Sequence, residues 1–384
     1  MAIEHRIAAR LAALGAAGLA RRPPVIERRN GCRYLLDGRP VIGLCSNDYL
    51  GLAELTLGSE HDASSAGAAG SRLICGDLAE HRALERTLAQ LVGYEDAVLF
   101  PSGFQLNVGV LPALLEPGDL VESDALNHAS LIDGLRLARA ELRVLPHGTP
   151  PSPSPSLADG AEHWWVSEST FSMDGDHVDL EALRDHHARG GTSYIDEAHG
   201  FGLYRGGLGL LGQHQLRASA LVCTLSKAYG CAGAFVAAST TLCEWIRGRA
   251  RSFVYSTGVS PALVARIARA VEVVASPIGD QRRAQLWSNV RRLADRLGMR
   301  DDSPIFPIVV HTNARALALA AALRDRGWHV QPIRPPTVPE GTARLRITVT
   351  AAHEPAMLDA FADDLLALLE PDHHETRAVA GATR

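Results

Sequence analysis

The chain has 384 residues, more than one ordinary domain and about right for two or three. Hydrophobic residues make up 46 %, enough for a large core, which excludes disorder of the whole chain. The formal net charge of −5 offers no basic surface, so nucleic acid is not an expected partner.

Six cysteines (Cys32, Cys45, Cys75, Cys223, Cys231, Cys243) keep no C-x-x-C and no regular spacing. Most sit in apolar segments, so buried free thiols and a reducing cytosol are expected. The opening stretch "MAIEHRIAARLAALGAAGLARR" mixes charges into its apolar positions and reads as neither a signal peptide nor a span. A soluble cytoplasmic protein without membrane association is expected.

Ile3, Ile7, Leu11 and Leu14 recur at helical spacing, so the chain is expected to open with an amphipathic helix ending near Gly18. Short strands are expected at 34–36 and 41–44. From about Asp77 helices alternate with short apolar runs: a helix through Leu84, Leu88 and Leu91, then "DAVLF" as a strand and "FQLNVGVLPALL" as a helix. There follow the strands "DLVESD", "LRVL", "HWWVSE", "TSYIDEA", "ALVCTLS" and "AFVAAS", with helices at "ASLIDGLRLAR" and "LEALRDHHAR". Near-continuous apolar strands between helices imply an α/β unit, a mainly parallel sheet covered on both faces. After a helix at 261–274 comes a smaller α+β unit. Its elements are an Arg-rich helix at 282–297, "IFPIVV", a helix to Arg326, "HVQPI", "ARLRITV" and a helix at 355–369. The Pro/Ser-rich "GTPPSPSPSLADG" reads as a surface loop, and the polar tail from Pro371 as flexible.

"LVCTLSKAYGCAGAFVAAS" (221–239) sets Lys227 among small uncharged residues with no acid beside it. A lysine in such a turn usually keeps its head in water. Its company upstream changes that reading. "YIDEAHGFG" places Asp196 at the end of an expected parallel strand, with His199 three residues on. Ligands of open α/β sheets gather at those carboxyl ends. "PSGFQLN" puts Ser102, Gly103 and Phe104 at a strand-to-helix junction, where backbone N–H groups and the helix dipole favour a phosphate. A lysine for a Schiff base, a carboxylate for a pyridinium nitrogen and a phosphate cradle are what pyridoxal 5'-phosphate requires. The literal G-x-G-x-x-G in "GLGLLG" (207–212) has no strand leading into it and is not expected to bind a dinucleotide. The pairs His186–His187 and His373–His374 lack ligand spacing, so no metal is expected.

Blocks along nearly the whole chain then resemble one family in order. They are "SNDYLGL", "HRALERTLAQLVGYEDAVLFPSGFQLN", "NHASLIDG", "ESTFSMDGD", "DEAHGFG", "TLSKAYG", "YSTG" and "IRPPTVPEGTARLRITVTAAH". The sequence resembles the α-oxoamine synthases, fold-type I pyridoxal phosphate enzymes. The resemblance implies a large cofactor-binding domain at 47–275, a small domain at 276–370 joined by 1–46, and a free tail at 371–384. It gives Lys227 the covalent hold on the cofactor and the proton transfers at Cα, and sets Asp196 on the ring nitrogen. His199 would meet the phenolic oxygen, and Ser172 would lie near the same face. His128 would stack on the ring and polarise the incoming thioester carbonyl. Gly103, Phe104 and Thr224 would hold the phosphate, with Thr257 reaching over from the second subunit of a homodimer with shared active sites. Asn47 and Arg334 resemble the pair that binds the amino-acid carboxylate, Thr337 would face the acyl chain, and either Arg21 or Arg22 would meet the substrate.

Within the family, "IRPPTVPEGTARLR" points to condensation of L-alanine with a pimeloyl thioester, carried by CoA or by acyl carrier protein. Other members condensing glycine, an aminotransferase, or an inactive partner subunit are the alternatives. The segment 53–76 is shorter than usual, and "GSRLICG" and "LGLLG" depart from the family's usual forms.

Overall fold

Strands that are apolar from end to end need cover on both faces, and the computed structural model places them accordingly. It describes residues 2–21, 23–55, 66–153, 157 and 159–369. The chain divides into Asn47–Leu286 and a second unit made of Met1–Ser46 with Trp287–Arg384. The division falls inside the helix Pro277–Leu297, later than the expected junction at 275.

The larger unit is built on β4 (Asp96–Phe100), β5 (Leu120–Asp124), β6 (Glu141–Leu145), β7 (His163–Glu168), β8 (Thr192–Asp196), β9 (Ala220–Thr224) and β10 (Ala234–Ala238). Their order across the sheet is β4-β10-β9-β8-β7-β5-β6. The five strands from β9 to β6 run parallel, and β10 alone opposes both of its neighbours. β5, β7, β9 and β10 are buried along their whole length, as central strands must be. The edge strand β6 is exposed and carries Glu141 and Arg143, charges that discourage pairing with another chain. Helices α2 (Ala79–Val92), α3 (Gly103–Leu114), α4 (Ala129–Leu137) and α7 (Thr240–Arg249) belong to this unit. Leu106, Val110 and Leu111 of α3 and Ile246 of α7 join Val98, Val166 and Val222 of the sheet in one core.

In the smaller unit α1 (Ala2–Ala16) has its apolar stripe, Ile3, Ile7, Leu11 and Leu14, exposed. β1 (Ile26–Asn30) lacked any apolar alternation to announce it, since all five residues are exposed; it is defined by its backbone pairing to β2 (Arg33–Leu36). β3 (Arg39–Gly43) completes that meander. The expected single strand "HVQPI" is two. β12 (Trp328–His329) pairs in parallel with β3, while β13 (Gln331–Ile333) pairs with β14 (Ala343–Thr348) in another sheet. β13 is an edge strand, which is where Pro332 is tolerated. β11 (Ile305–His311) forms the other edge.

Several sequence oddities acquire structural explanations. In "GSRLICG", Arg72 is buried and donates to Asp77 Oδ1 at 2.7 Å and Glu85 Oε1 at 3.1 Å. "GLGLLG" wraps the buried Glu197, whose carboxylate accepts the Leu211 N–H at 2.8 Å. A Cβ on Gly209 would meet that carboxylate at 1.9 Å, so glycine is required there. His186 is buried with Nε2 2.9 Å from the Thr192 carbonyl, and His187 lies 2.7 Å from Ser193 Oγ. No group of three or more metal-ligating side chains occurs among the described residues. In the Pro/Ser segment, Ser152 donates through N–H and Oγ to the buried Glu122, both at 2.6 Å. All six cysteines are free; Cys75 is exposed where burial was expected. Residues 56–65, most of the shortened segment's centre, and the tail with His373–His374 lie outside the described residues.

Glu85 of α2 is the buried hub that ties β4 in place. Its carboxylate accepts the Leu99 N–H at 2.9 Å and meets Arg72, Arg82 and Arg247 at 3.1, 3.4 and 3.3 Å. Removing one member of a buried ion cluster strands the rest. Glu85→Ala is therefore expected to lose about 3–5 kcal/mol of stability. Denaturant unfolding checks this, and a loss below about 1 kcal/mol contradicts it.

Candidate active site

β8 and β9 are parallel neighbours, with Asp196 opposite Val222. Asp196 closes β8 and Lys227 follows three residues after β9 ends, so both leave the sheet at its carboxyl edge. Asp196 is buried and accepts Ala198 N–H at Oδ1 and Asn107 Nδ2 at Oδ2, each at 2.9 Å. Lys227 is half-buried. It is also the only lysine of the sequence, every other basic side chain apart from histidine being arginine.

The two charges act on the same two neighbours. Glu168 closes β7 opposite Asp196 and is fully enclosed. Burial and the Asp196 charge, against the pull of Lys227, push its pKa up to about 8. Its Oε1 accepts the His128 N–H at 2.6 Å. His128 caps α4, and its Nδ1 lies 2.8 Å from Ser130 Oγ and 3.3 Å from Ser130 N. Burial lowers the imidazole pKa, Asp196 opposing and Lys227 adding to the shift, so the ring is neutral at pH 7.

α3 starts at Gly103 with Ser102 as its cap, the Ser102 hydroxyl accepting Gln105 N–H at 3.2 Å. The first-turn N–H groups have no acceptor within the helix. A Cβ added to Gly103 would stand 4.0 Å from Thr224 Oγ1, so the side chain's absence leaves room between helix and strand end. Ser226 Oγ lies 2.8 Å from Thr224 Oγ1 and is exposed, extending this cluster of donors. Phe104 is also exposed. His199 is buried with Nδ1 2.7 Å from Tyr49 OH, and the same hydroxyl reaches Asn47 Oδ1 at 3.4 Å. Ser172 occupies a half-buried turn, and Thr257 is exposed, bridged by backbone to Ser71.

Arg21, Arg334 and Thr337 belong to the other unit and line one pocket there, about 260 Å³ in volume. Arg21 Nη2 donates to Thr337 Oγ1 at 2.9 Å, and Arg334 Nη1 to the Gly18 carbonyl. Arg22 lies outside the described residues. Sequence reasoning gave no role to Asn107, Ser130, Glu168, Tyr49 or Ser226. All five stood inside the quoted blocks; Asn107, Ser130, Glu168 and Tyr49 are revealed by partners far away in the chain, and Ser226 by Thr224 two residues before it.

A family model described as aminotransferase class I and II matches residues 39–365. An 8-amino-7-oxononanoate synthase of Anaeromyxobacter dehalogenans is 44 % identical over 384 residues, covering 95 % of this chain and 96 % of its own. One from Herminiimonas arsenicoxydans is 39 % identical, covering 93 % and 97 %. Among solved structures, a serine palmitoyltransferase from S. paucimobilis with a bound PLP–myriocin aldimine superposes with a TM-score of 0.86. It has 26 % identity and covers 97 % of each chain. The 8-amino-7-oxononanoate synthase of Francisella tularensis gives 0.72 at 25 % identity, covering 85 % and 96 %.

The state of Glu168 has a measurable consequence. Between 4.5 and about 8 the folded chain holds a proton that the unfolded chain has lost. Stability therefore falls as pH rises through that window, by at most about 1.4 kcal/mol per unit. Glu197, pushed by burial to about 7, adds the same sign over part of it. Glu168→Gln, which keeps an acceptor for His128, is expected to flatten the decline of melting temperature between pH 5 and 8. An unchanged slope contradicts the assignment.

Proposed function

The chain belongs to the class I and II aminotransferase family, among the 8-amino-7-oxononanoate synthases, and on that premise we propose that it condenses L-alanine with a pimeloyl thioester. It is a pyridoxal phosphate-dependent acyltransferase of biotin biosynthesis. The observation that carries the reading is the convergence of Lys227, Asp196 and His128 at one sheet edge with the Gly103–Thr224 cradle.

The side chains fit the cofactor on their own chemistry. Lys227 is the sole side-chain amine, Asp196 is a buried acid able to face a ring nitrogen, and the glycine-opened cradle suits a phosphate. Bound there, pyridoxal phosphate supplies an electron sink for a carbanion at the amino acid's Cα. Lys227 would hold it, Asp196 keep its ring nitrogen protonated and His199 meet its phenolic oxygen beside Ser172. Gly103, Phe104 and Thr224 would hold its phosphate. Thr257, exposed on its loop, would serve the second subunit of a homodimer.

Lys227 takes the Cα proton of alanine and later returns one to the product. His128 donates to the thioester carbonyl as charge develops on that oxygen. The Cα–carbonyl bond forms, thiol leaves, and the carboxylate departs as CO2, giving 8-amino-7-oxononanoate. Arg334 and Asn47 are proposed to bind the alanine carboxylate, a task suited to guanidinium geometry, with Arg21 and Thr337 toward the acyl chain. The thioester is carried by CoA or acyl carrier protein. A cytoplasmic reaction is part of this proposal; among the described residues no helix is long and apolar enough to cross a membrane. Relatives at 39 and 44 % identity favour alanine and pimeloyl over the serine palmitoyltransferase chemistry of a 26 % identical structure.

Purified holoenzyme given alanine or serine or glycine, each with pimeloyl-, palmitoyl- or acetyl-CoA, decides the substrates. Thiol and CO2 release is expected with alanine and pimeloyl-CoA at least about tenfold faster than with any other pair, a gap of about 1.4 kcal/mol in barrier. Preference for another pair overturns the substrate proposal. Arg334→Ala is expected to raise the KM for alanine by about tenfold or more with a smaller change in kcat; an unchanged KM removes Arg334 from the carboxylate site.

A further inference from the structure

A buried chain of hydrogen bonds runs behind His128, and its donors and acceptors can be assigned throughout. Tyr194 O–H on β8 donates to Asn107 Oδ1 on α3 at 2.8 Å. Asn107 Nδ2 donates one hydrogen to Asp196 Oδ2 and the other to Ser130 Oγ, both at 2.9 Å. Turning the amide over would set its oxygen against the Asp196 carboxylate, so the orientation is fixed by charge. With its oxygen accepting from Asn107, Ser130 has its own hydrogen free for His128 Nδ1 at 2.8 Å, and Ser130 N–H reaches that atom at 3.3 Å. Nδ1 thus faces two donors and is an acceptor.

We propose that Ser130 and Asn107 are positioning residues that hold His128 as its Nε2–H tautomer, so that the ring presents a donor to the substrate carbonyl. The inference deepens the role given to His128 above and rests on it. Asn107, Ser130 and Tyr194 are each at most 1 % exposed, so water does not compete for these bonds. The close approach of α3 and α4 that joins Asn107 to Ser130 depends on Gly134, where a Cβ would meet the Asn107 carbonyl oxygen at 2.6 Å. Glu168 holds the same histidine by its backbone N–H. The charged and titratable groups acting on the ring are Asp196 and Lys227, with Glu168 adjoining; burial and Lys227 together outweigh Asp196 and keep a second proton off.

The experiment is nitrogen NMR of ring-15N-histidine protein, with His128 identified by its loss in His128→Asn. The wild type is expected to show Nδ1 unprotonated and Nε2 protonated from pH 6.5 to 8. Ser130→Ala should give mixed tautomers and raise the His128 pKa by roughly half a unit to one unit, since a hydrogen bond to the neutral form is lost. It should also lower kcat about tenfold or more, with the alanine KM changed less than about twofold. Ser130→Thr should restore both. A wild-type ring carrying its proton on Nδ1, or a Ser130→Ala protein with unchanged nitrogen shifts and kcat, overturns the proposal. The NMR is done without substrate. An Nε2–H ring in a protein that ignores alanine and pimeloyl-CoA therefore supports the relay and sinks only the substrate reading.

Discussion

The carboxylate of Asp196 is buried at the carboxyl edge of a parallel sheet, and keeping a charge there constrains every group nearby. It needs donors, which Ala198 and Asn107 provide, and the parallel backbone brings Lys227 off the end of the adjacent strand at the same edge. Burial, with the Asp196 charge adding to it, pushes Glu168 up to about 8, so this second acid stays largely protonated at neutral pH. Lys227 in turn helps to hold His128 neutral. Burial, one acid and one amine thus act together on the protonation of a donor, His128, and a supporting carboxyl, Glu168.

The parallel order of the strands is what makes this cheap to assemble. Each β–helix–β crossover returns the chain to the same edge, so residues 103, 128, 168, 196, 224 and 227 meet although 124 positions separate the first from the last. Packing farther back serves that edge: Glu85 fixes β4, from which α3 and Gly103 follow, and Gly134 lets α4 approach α3.

Sequence patterning made the large unit legible because its strands are apolar throughout and its helices periodic. It failed where a strand is exposed along its whole length, as in β1, and where one apolar run serves two sheets, as in β12 and β13. Lys227, Asp196 and Gly103 stood out because their chemistry is unusual in those settings. Asn107, Ser130 and Glu168 did not, since an amide, a hydroxyl or an acid acquires meaning only from its neighbour, and those neighbours lie 23 to 89 residues away. The roles of Arg21, Arg334 and Thr337 came from resemblance, and the structure adds that the three share one pocket.

The absence of any other lysine allows a direct test of the central claim. Holoenzyme is reduced with borohydride, digested and mapped by mass spectrometry, with Asp196→Asn treated alongside. The account predicts one pyridoxyl phosphate group per chain on Lys227, retained in Asp196→Asn although that variant turns over at least about a thousandfold more slowly. Label confined to the N-terminal amine, or an Asp196→Asn enzyme as fast as wild type, would contradict it.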